Sequence, residues 1–312
     1  MDLRQLNALL AVASHGSFSA AARSLFTVQS NVSTHIQRLE RELGARLIDR
    51  TRNELTEEGE LVAARARRIQ AELDAIPGEL SAFKGALAGQ VRLGLIGTTA
   101  RWLAPLLFKA VSVEHPALRI VIIEASTTSL LPQVVDGHLE LAIVNLPADA
   151  PEVETELLFE EDLIVIAPGG HPLTERAAVS IIELAEFEIL LPPVGTALRD
   201  ELDEQARRAQ VRLRASAEID GGRLLASLAM EGHGIAVVPA TAIPGWLKGD
   251  FVRVPVTGLS RRQVGLIRRS RSTLSAPARA VVAELHRVLR RQELRQQGLY
   301  ITVPHAPAAA SR

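Results

Sequence analysis

The sequence predicts a small all-α helix-turn-helix unit with a β wing, then one long linker helix, then a two-lobed α/β domain. Three observations carry this. Ser17–Leu47 reads as two short amphipathic segments a few residues apart, and the second opens with Gln29, Ser30, Asn31, Ser33, Thr34, His35 and Arg38. From Glu57 to about Leu87, Leu61, Ala64, Ile69, Leu73 and Leu80 recur at helical spacing with no globular partner nearby in sequence. From Gln90 onward, short β-rich runs alternate with helical stretches, the pattern of a parallel sheet covered on both faces.

Composition fits this division. A chain of 312 residues is too long for one ordinary domain. The apolar share is 47% with only 3% aromatic, so the cores are built from Leu, Val, Ile and Ala. A mean hydropathy of +0.14 argues against wholesale disorder. The net charge of −1 averages several domains and hides any local patch. There is no cysteine, which removes disulfides, thiolate metal sites and cysteine nucleophiles together. The eight histidines show no ligand spacing, so no metal is expected. The opening MDLRQLNALLAVAS is broken by Asp2, Arg4, Gln5 and Asn7 and does not read as a secretion signal. No apolar run is long enough to span a membrane, and a soluble cytoplasmic protein is expected.

In chain order, Asp2 and Gln5 suggest a capping box, followed by a stripe of Leu3, Leu6, Leu10 and Ala13. His15-Gly16 ends that helix. Ser17 or Ser19 caps the next, with Phe18, Ala20, Ala21 and Leu25 inward. Val32, Ile36, Leu39 and Leu43 repeat along helix three, and Gly44 closes it. Leu47-Ile48, Arg50-Thr51-Arg52-Asn53 and Leu55-Thr56 form the wing, which sets arginines beside a phosphate backbone. The long helix that follows buries its apolar stripe against a second copy, and Pro77-Gly78 interrupts it near Ile76. Gly85 to Gly89 is a linker. VRLGLIG, RIVIIEAS, LELAIVNL and DLIVIAP are strands, with helices near Arg101–His115 and Ser129–Gly137 between the first three. EILLPP, a helix at Leu198–Ala209, RLRASAEI, a helix at Gly222–Glu231 and GIAVVP make a second set. QVGLIRR returns as a strand and Ala276–Gln292 is the last helix. The expected division is 1–60, 57–89 and 90–297, with lobe I about 90–162 and 268–297, lobe II about 163–267, and a mobile tail at 298–312.

These residues resemble the LysR-type transcriptional regulators over nearly the whole chain. The matching signature runs Leu3 and Leu6, Gly16-Ser17-Phe18, Ala20-Ala21, Arg23, Leu25, Gln29-Ser30-x-Val32-Ser33-x-x-Ile36-x-x-Leu39-Glu40-x-x-Leu43-Gly44-x-x-Leu47, Arg50, and Leu55-Thr56-x-x-Gly59. The resemblance implies a winged helix-turn-helix, a dimerising linker helix and a two-lobed effector domain similar to periplasmic binding proteins. It further implies homodimers or homotetramers that bind double-stranded DNA and answer to a small-molecule co-inducer. Three departures stand out. Thr27-Val28 replaces the usual turn pair and moves the expected N-cap to Thr27, Ser30 stands where proline is common, and the wing is about two residues short.

For DNA, Gln29 and Asn31 carry amides that pair bidentately with adenine. Ser30, Ser33, Thr34, His35 and Arg38 share base and phosphate contacts, and Arg50 and Arg52 clamp phosphates from the wing. The competing reading is a solvated polar helix face. For the effector, the candidates are small polar residues directly after strands: Thr98, Thr99, Arg101, Ser126, Thr127, Thr128 and Asn145 in one lobe, and Gly195, Thr196 and Asp220 in the other. Helix N-termini attract anions, so a carboxylate co-inducer is expected there, with ordinary helix caps as the alternative. Arg261–Arg271 reads as exposed strand edges and subunit contacts, and Arg65, Arg67 and Arg68 as a solvated face. An enzyme or a solute-binding protein could share the two-lobed cleft. Yet no GxSxG, GxxxxGK or strand-borne GxGxxG is present, and no cofactor is expected.

Overall fold

The structure, a computed structural model, describes residues 1–83, 87–270, 273–291 and 294–303. In the N-terminal unit α1 (Leu3–His15), α2 (Phe18–Ser24) and α3 (Gln29–Leu43) close around Leu6, Leu9, Val12, Ala21, Val32, Ile36 and Leu39. The helix ends have local causes. Asp2 and Gln5 form the capping box, and Ser17 Oγ accepts the Ala20 N–H at 3.1 Å. Gly16 and Gly44 stop α1 and α3 at φ 65° and 68°, a conformation that costs glycine little. The buried face of α1 runs through Leu6, Leu9 and Val12, so Leu3 is exposed and Leu10 and Ala13 are only half-buried. In α2 the buried pair is Ala21 and Ala22, whereas Leu25 is exposed.

The N-cap of α3 is Val28 rather than Thr27, and no side chain caps the helix. Thr27 Oγ1 instead accepts the Asn31 side-chain amide at 2.9 Å. A hydroxyl at position 28 would satisfy an orphan N–H of the first turn. Val28→Ser is therefore expected to stabilise the unit by about 0.5–2 kcal/mol, read as a raised urea midpoint at unchanged m-value.

β1 (Ile48–Asp49) and β2 (Glu54–Leu55) pair antiparallel as the wing. α4 (Glu57–Phe83) then runs 27 residues without a break, so Pro77 does not interrupt it. Ser81 Oγ donates to Pro77 O at 2.7 Å, and a side-chain carbon on Gly78 would lie 2.8 Å from Pro277 Cγ. Docking against lobe I holds the helix through the point where proline removes a hydrogen bond. Ile69, Leu73, Ile76, Leu80 and Phe83 stay exposed at alternating spacings of four and three, the seam of a coiled coil.

From Gly89 onward the chain builds two six-stranded sheets. Lobe I contains β3 (Gly89–Leu95), α5 (Gly97–Glu114), β4 (Leu118–Glu124), α6 (Thr127–Val135), β5 (Leu141–Asn145) and β6 (Val153–Glu161). Lobe II contains β7 (Leu163–Pro168), β8 (Val179–Ser180), α7 (Ile181–Leu184), β9 (Glu188–Leu191), α8 (Ala197–Arg208), β10 (Arg214–Glu218), α9 (Gly222–Met230), β11 (Ile235–Pro239) and β12 (Phe251–Thr257). The chain then returns to lobe I as β13 (Arg262–Arg269), α10 (Ala276–Leu289) and β14 (Leu299–Ile301). The sheet orders are β14-β6-β13-β5-β3-β4 and β10-β9-β11-β7-β12-β8. β3, β4 and β5 run parallel, while β13 pairs antiparallel with both β5 and β6.

Several boundaries differ from expectation. Residues 262–267, expected in lobe II, stand in the lobe I sheet as an interior strand, because β13 lies between β5 and β6. α5 and α6 begin at Gly97 and Thr127, so the polar groups after β3 and β4 are already helical. Leu299–Ile301 pairs with β6 and Val303 is buried, which ties down the first part of the expected tail. Residues 304–312, positions 84–86 at the end of the expected long helix and the start of the linker, Arg271 of the arginine-rich stretch, and Gln292 of the expected last helix lie outside the described residues. Among the described residues, no helix is long and apolar enough to cross a membrane.

Candidate functional site

On the N-terminal unit, α3 turns Gln29, Ser30, Asn31, Thr34 and Arg38 to solvent, with Ser33 and His35 half-buried. Two of the amides are already oriented. Ser19 Oγ donates to Gln29 Oε1 at 2.9 Å, and Asn31 is held by Thr27. Thr34 Oγ1 donates back to Ser30 O at 2.8 Å. Glu40, further along the same helix, is largely buried and accepts the Leu47 N–H at 2.9 Å. The two wing arginines differ. Arg50 stands 3.6 Å from Glu40 and 6.0 Å over the Phe18 ring, which draws it onto the body of the unit. Arg52 is exposed in the wing turn, where hydrogen bonds from Thr51 hold the Asp49 carboxyl below its usual range.

The second candidate site lies where the two sheets face each other. Thr98 and Thr99 are buried in the first turn of α5. Thr98 Oγ1 accepts Arg262 Nη2–H at 2.9 Å, and Arg262 Nε donates to Glu161 Oε1 at 2.9 Å. Glu161 is 0% exposed, and its other oxygen accepts the Thr241 N–H from lobe II at 2.8 Å. At the N-terminus of α6, Ser126 caps Ser129, and the hydroxyls of Ser126, Thr128 and Ser129 form a chain at 2.8 and 3.0 Å. Thr127 Oγ1 accepts the Asn145 N–H at 3.1 Å, so lobe I brings together both of its expected loops. Thr99 Oγ1 and Asn145 Oδ1 are buried and find no partner among the described residues. Arg101 is half-buried one turn along α5.

In lobe II, Gly195 holds φ 86° before α8, and Thr196 turns its hydroxyl back to Pro193 O at 2.9 Å. Asp220 is exposed before α9. A side-chain carbon on Gly222 would lie 3.1 Å from Thr98 Cγ2, which places the start of α9 against the start of α5. An ion pair between Glu124 and Arg223 bridges the same gap.

Glu161, Arg262, Glu124 and Arg223 were not among the sequence candidates. In the arginine-rich stretch, Arg261 and Arg268 are exposed as expected but also paired within the chain, and the strand of this stretch, β13, is interior rather than an edge. Arg261 lies 3.7 Å over the Tyr300 ring and 3.1 Å from Asp162, and Arg268 is 3.1 Å from Glu154. Arg68, expected on a solvated face, donates to Val135 O at 2.8 Å. Nearby, Glu79 accepts the Ala276 N–H at 2.6 Å and so caps α10 from α4. A cavity of about 560 Å³ separates α1 and α4 from lobe I, and burial there pushes Glu140 up and His138 down from their usual pKa ranges.

Comparison with known proteins covers both sites. A family described as bacterial regulatory helix-turn-helix protein, lysR family, matches residues 3–60, and the LysR substrate binding domain matches residues 84–290. A probable hydrogen peroxide-inducible genes activator of Streptomyces viridosporus is 31% identical, over 93% of this chain and 95% of that one. The DNA-binding transcriptional dual regulator OxyR of Escherichia coli (strain K12) is 30% identical, over 88% and 91%. A full-length OxyR variant from Pseudomonas aeruginosa has a TM-score of 0.72 at 26% identity, covering 93% of this chain and 95% of that one. Full-length CbnR complexed with its target DNA shares the fold, with a TM-score of 0.65 at 23% identity and coverage of 93% and 99%. These relatives are transcriptional regulators, and nothing among them supports the enzyme alternative. Both halves of the chain therefore point the same way: it belongs to the LysR family of bacterial transcriptional regulators.

Proposed function

We propose that this LysR-type regulator reads double-stranded DNA through the exposed face of α3 and the wing, and that a small-molecule co-inducer in the interlobe cleft controls it. The head is residues 1–60, α4 pairs two copies along its exposed seam, and the two lobes form the sensor. It acts in the cytoplasm, where its DNA is, as a homodimer or homotetramer. The observation that carries the effector reading is the buried Thr99 Oγ1, without a partner among the described residues, in the uncapped first turn of α5 beside the hydroxyl chain of α6. Helix N-termini and hydroxyls suit a small carboxylate or another small anion. Of the DNA candidates, Gln29, Ser30, Asn31, Thr34, Arg38 and Arg52 are the exposed contacts, with Ser33 and His35 behind them. Arg50 serves mainly to hold the wing.

The Streptomyces relative carries a peroxide-inducible name, but this chain has no cysteine. A thiol-based response to peroxide needs a thiolate to oxidise. A thiol-based peroxide response is therefore not open to this chain.

The test is retention of DNA from upstream of its own coding sequence in a gel shift. Specific binding that survives competitor DNA is expected, and none at moderate salt with folded dimer present overturns the reading. In a reporter strain, Thr128→Val is expected to raise the half-saturating effector concentration about two- to tenfold while DNA binding is kept. An unchanged response moves the site out of the cleft.

A further inference from the structure

Glu124, the last residue of β4, and Arg223, in the first turn of α9, form an ion pair from one lobe to the other. Two glycines permit the approach. A side-chain carbon on Gly97 would lie 3.0 Å from Glu124 Oε1 and 3.5 Å from Arg223 Cδ, while Gly222 meets Thr98 as described above. The carboxylate thus stands beside the first turn of α5 and reaches the first turn of α9. Neither helix has a side-chain cap, their N-caps being Ile96 and Gly221. Two positive helix ends therefore meet at a guanidinium. A cation in the first turn of a helix is unfavourable, and an anion there is favourable. The place is built for an anion, and one carboxylate of the chain supplies it. In the same turn of α5, the fully buried Thr99 hydroxyl has no partner among the described residues.

We propose that this is an anion subsite of the cleft which the chain fills with its own Glu124, and that the co-inducer carries a carboxylate that replaces Glu124 opposite Arg223. The proposal rests on the reading of the cleft as the effector site, and it names the regulation of that site. One carboxylate at a time pairs with Arg223, and the displaced Glu124, already 41% exposed, turns to water, so a monocarboxylate is the fitting ligand class. The side chains of Glu124 and Arg223 are 41% and 49% exposed, so the pair is weak enough to be displaced. Ligand-free closure is held by Glu124, and the effector acts only through the difference between its own interaction with Arg223 and that of Glu124.

The cysteine-free chain makes the test direct. Lys109→Cys on α5 and Arg207→Cys on α8, both at exposed positions, take spin labels in the full-length protein, diluted with unlabelled chain so that distances are intrachain. Glu124→Ala is expected to shift the closed-to-open ratio about two- to fivefold toward open. Sodium propionate should restore the closed distance, and sodium chloride at equal ionic strength should not. Glu124→Arg combined with Arg223→Glu should stay closed without propionate. An unchanged distance distribution in Glu124→Ala overturns the proposal, and so does equal restoration by chloride and propionate. These distances are read without DNA or effector. Their failure leaves the cleft reading standing, and a failed Thr128→Val test leaves these distances informative.

Discussion

Arg262→Ala is expected to destabilise the folded protein by about 3 kcal/mol, the lower end of what breaking a buried ion pair costs. Glu161 has no exposed surface, and two of its hydrogen bonds come from Arg262 and Thr241. Removing the guanidinium leaves a buried carboxylate with the Thr241 N–H alone to compensate it. The lower end applies because the Arg262 side chain is 19% exposed, so water enters part of the vacated space. Denaturant titration of the variant measures the loss. Glu161→Gln combined with Arg262→Met should recover most of it, since the amide still accepts from Thr241 and no charge remains buried. A loss below about 1 kcal/mol for Arg262→Ala would mean that Glu161 is effectively hydrated.

Gln29→Ala is expected to remove about 1–3 kcal/mol of discrimination between operator and scrambled DNA, the value of one bidentate amide contact. Ser19 already fixes the Gln29 amide oxygen, so the side chain meets DNA with part of its ordering cost met. Arg52→Ala should weaken binding to both sequences alike and lower the salt slope by about one. Arg50→Ala should do much less to that slope, because Glu40 and Phe18 hold its guanidinium. Binding isotherms at several salt concentrations separate the three. Equal weakening on both DNAs for Gln29→Ala would assign that residue to the phosphate backbone instead.

The helix-turn-helix was legible because its signals are local. The Val32, Ile36, Leu39 repeat and the Gly44 stop lie within one helix, and α3 has the bounds that this spacing predicts. Thr27 misled because a hydroxyl at a turn predicts a cap only if it reaches the N2 or N3 N–H, and here Asn31 takes it. In the cleft, small polar residues after strands marked Thr98, Thr99 and the α6 hydroxyls, again by local position. The buried cross-strand pair of lobe I, whose acid also accepts from Thr241 of lobe II, was not legible. Arg262 and Glu161 are 101 residues apart, and each sits in a run of like charges that reads as solvated surface. β6 was missed for the same reason: its acids, in VETELLFEE, mask the buried Leu158 and Phe159. Pro77 showed the limit of a local rule, since the contact that carries α4 through it comes from Pro277, far along the chain.

The contacts of α4 with the sensor have a mechanical consequence. Arg68 bonds the end of α6, Glu79 caps α10, and Gly78 seats against Pro277, all of them in lobe I. Lobe I and the linker helix thus make one stator, to which the DNA-reading head is joined. Lobe II is the other part, joined to it by the crossing strands, the buried Glu161–Thr241 hydrogen bond and the Glu124–Arg223 ion pair. On the proposed function, a signal generated at the cleft travels outward on the surface of lobe II, toward a neighbouring subunit, before it returns to DNA.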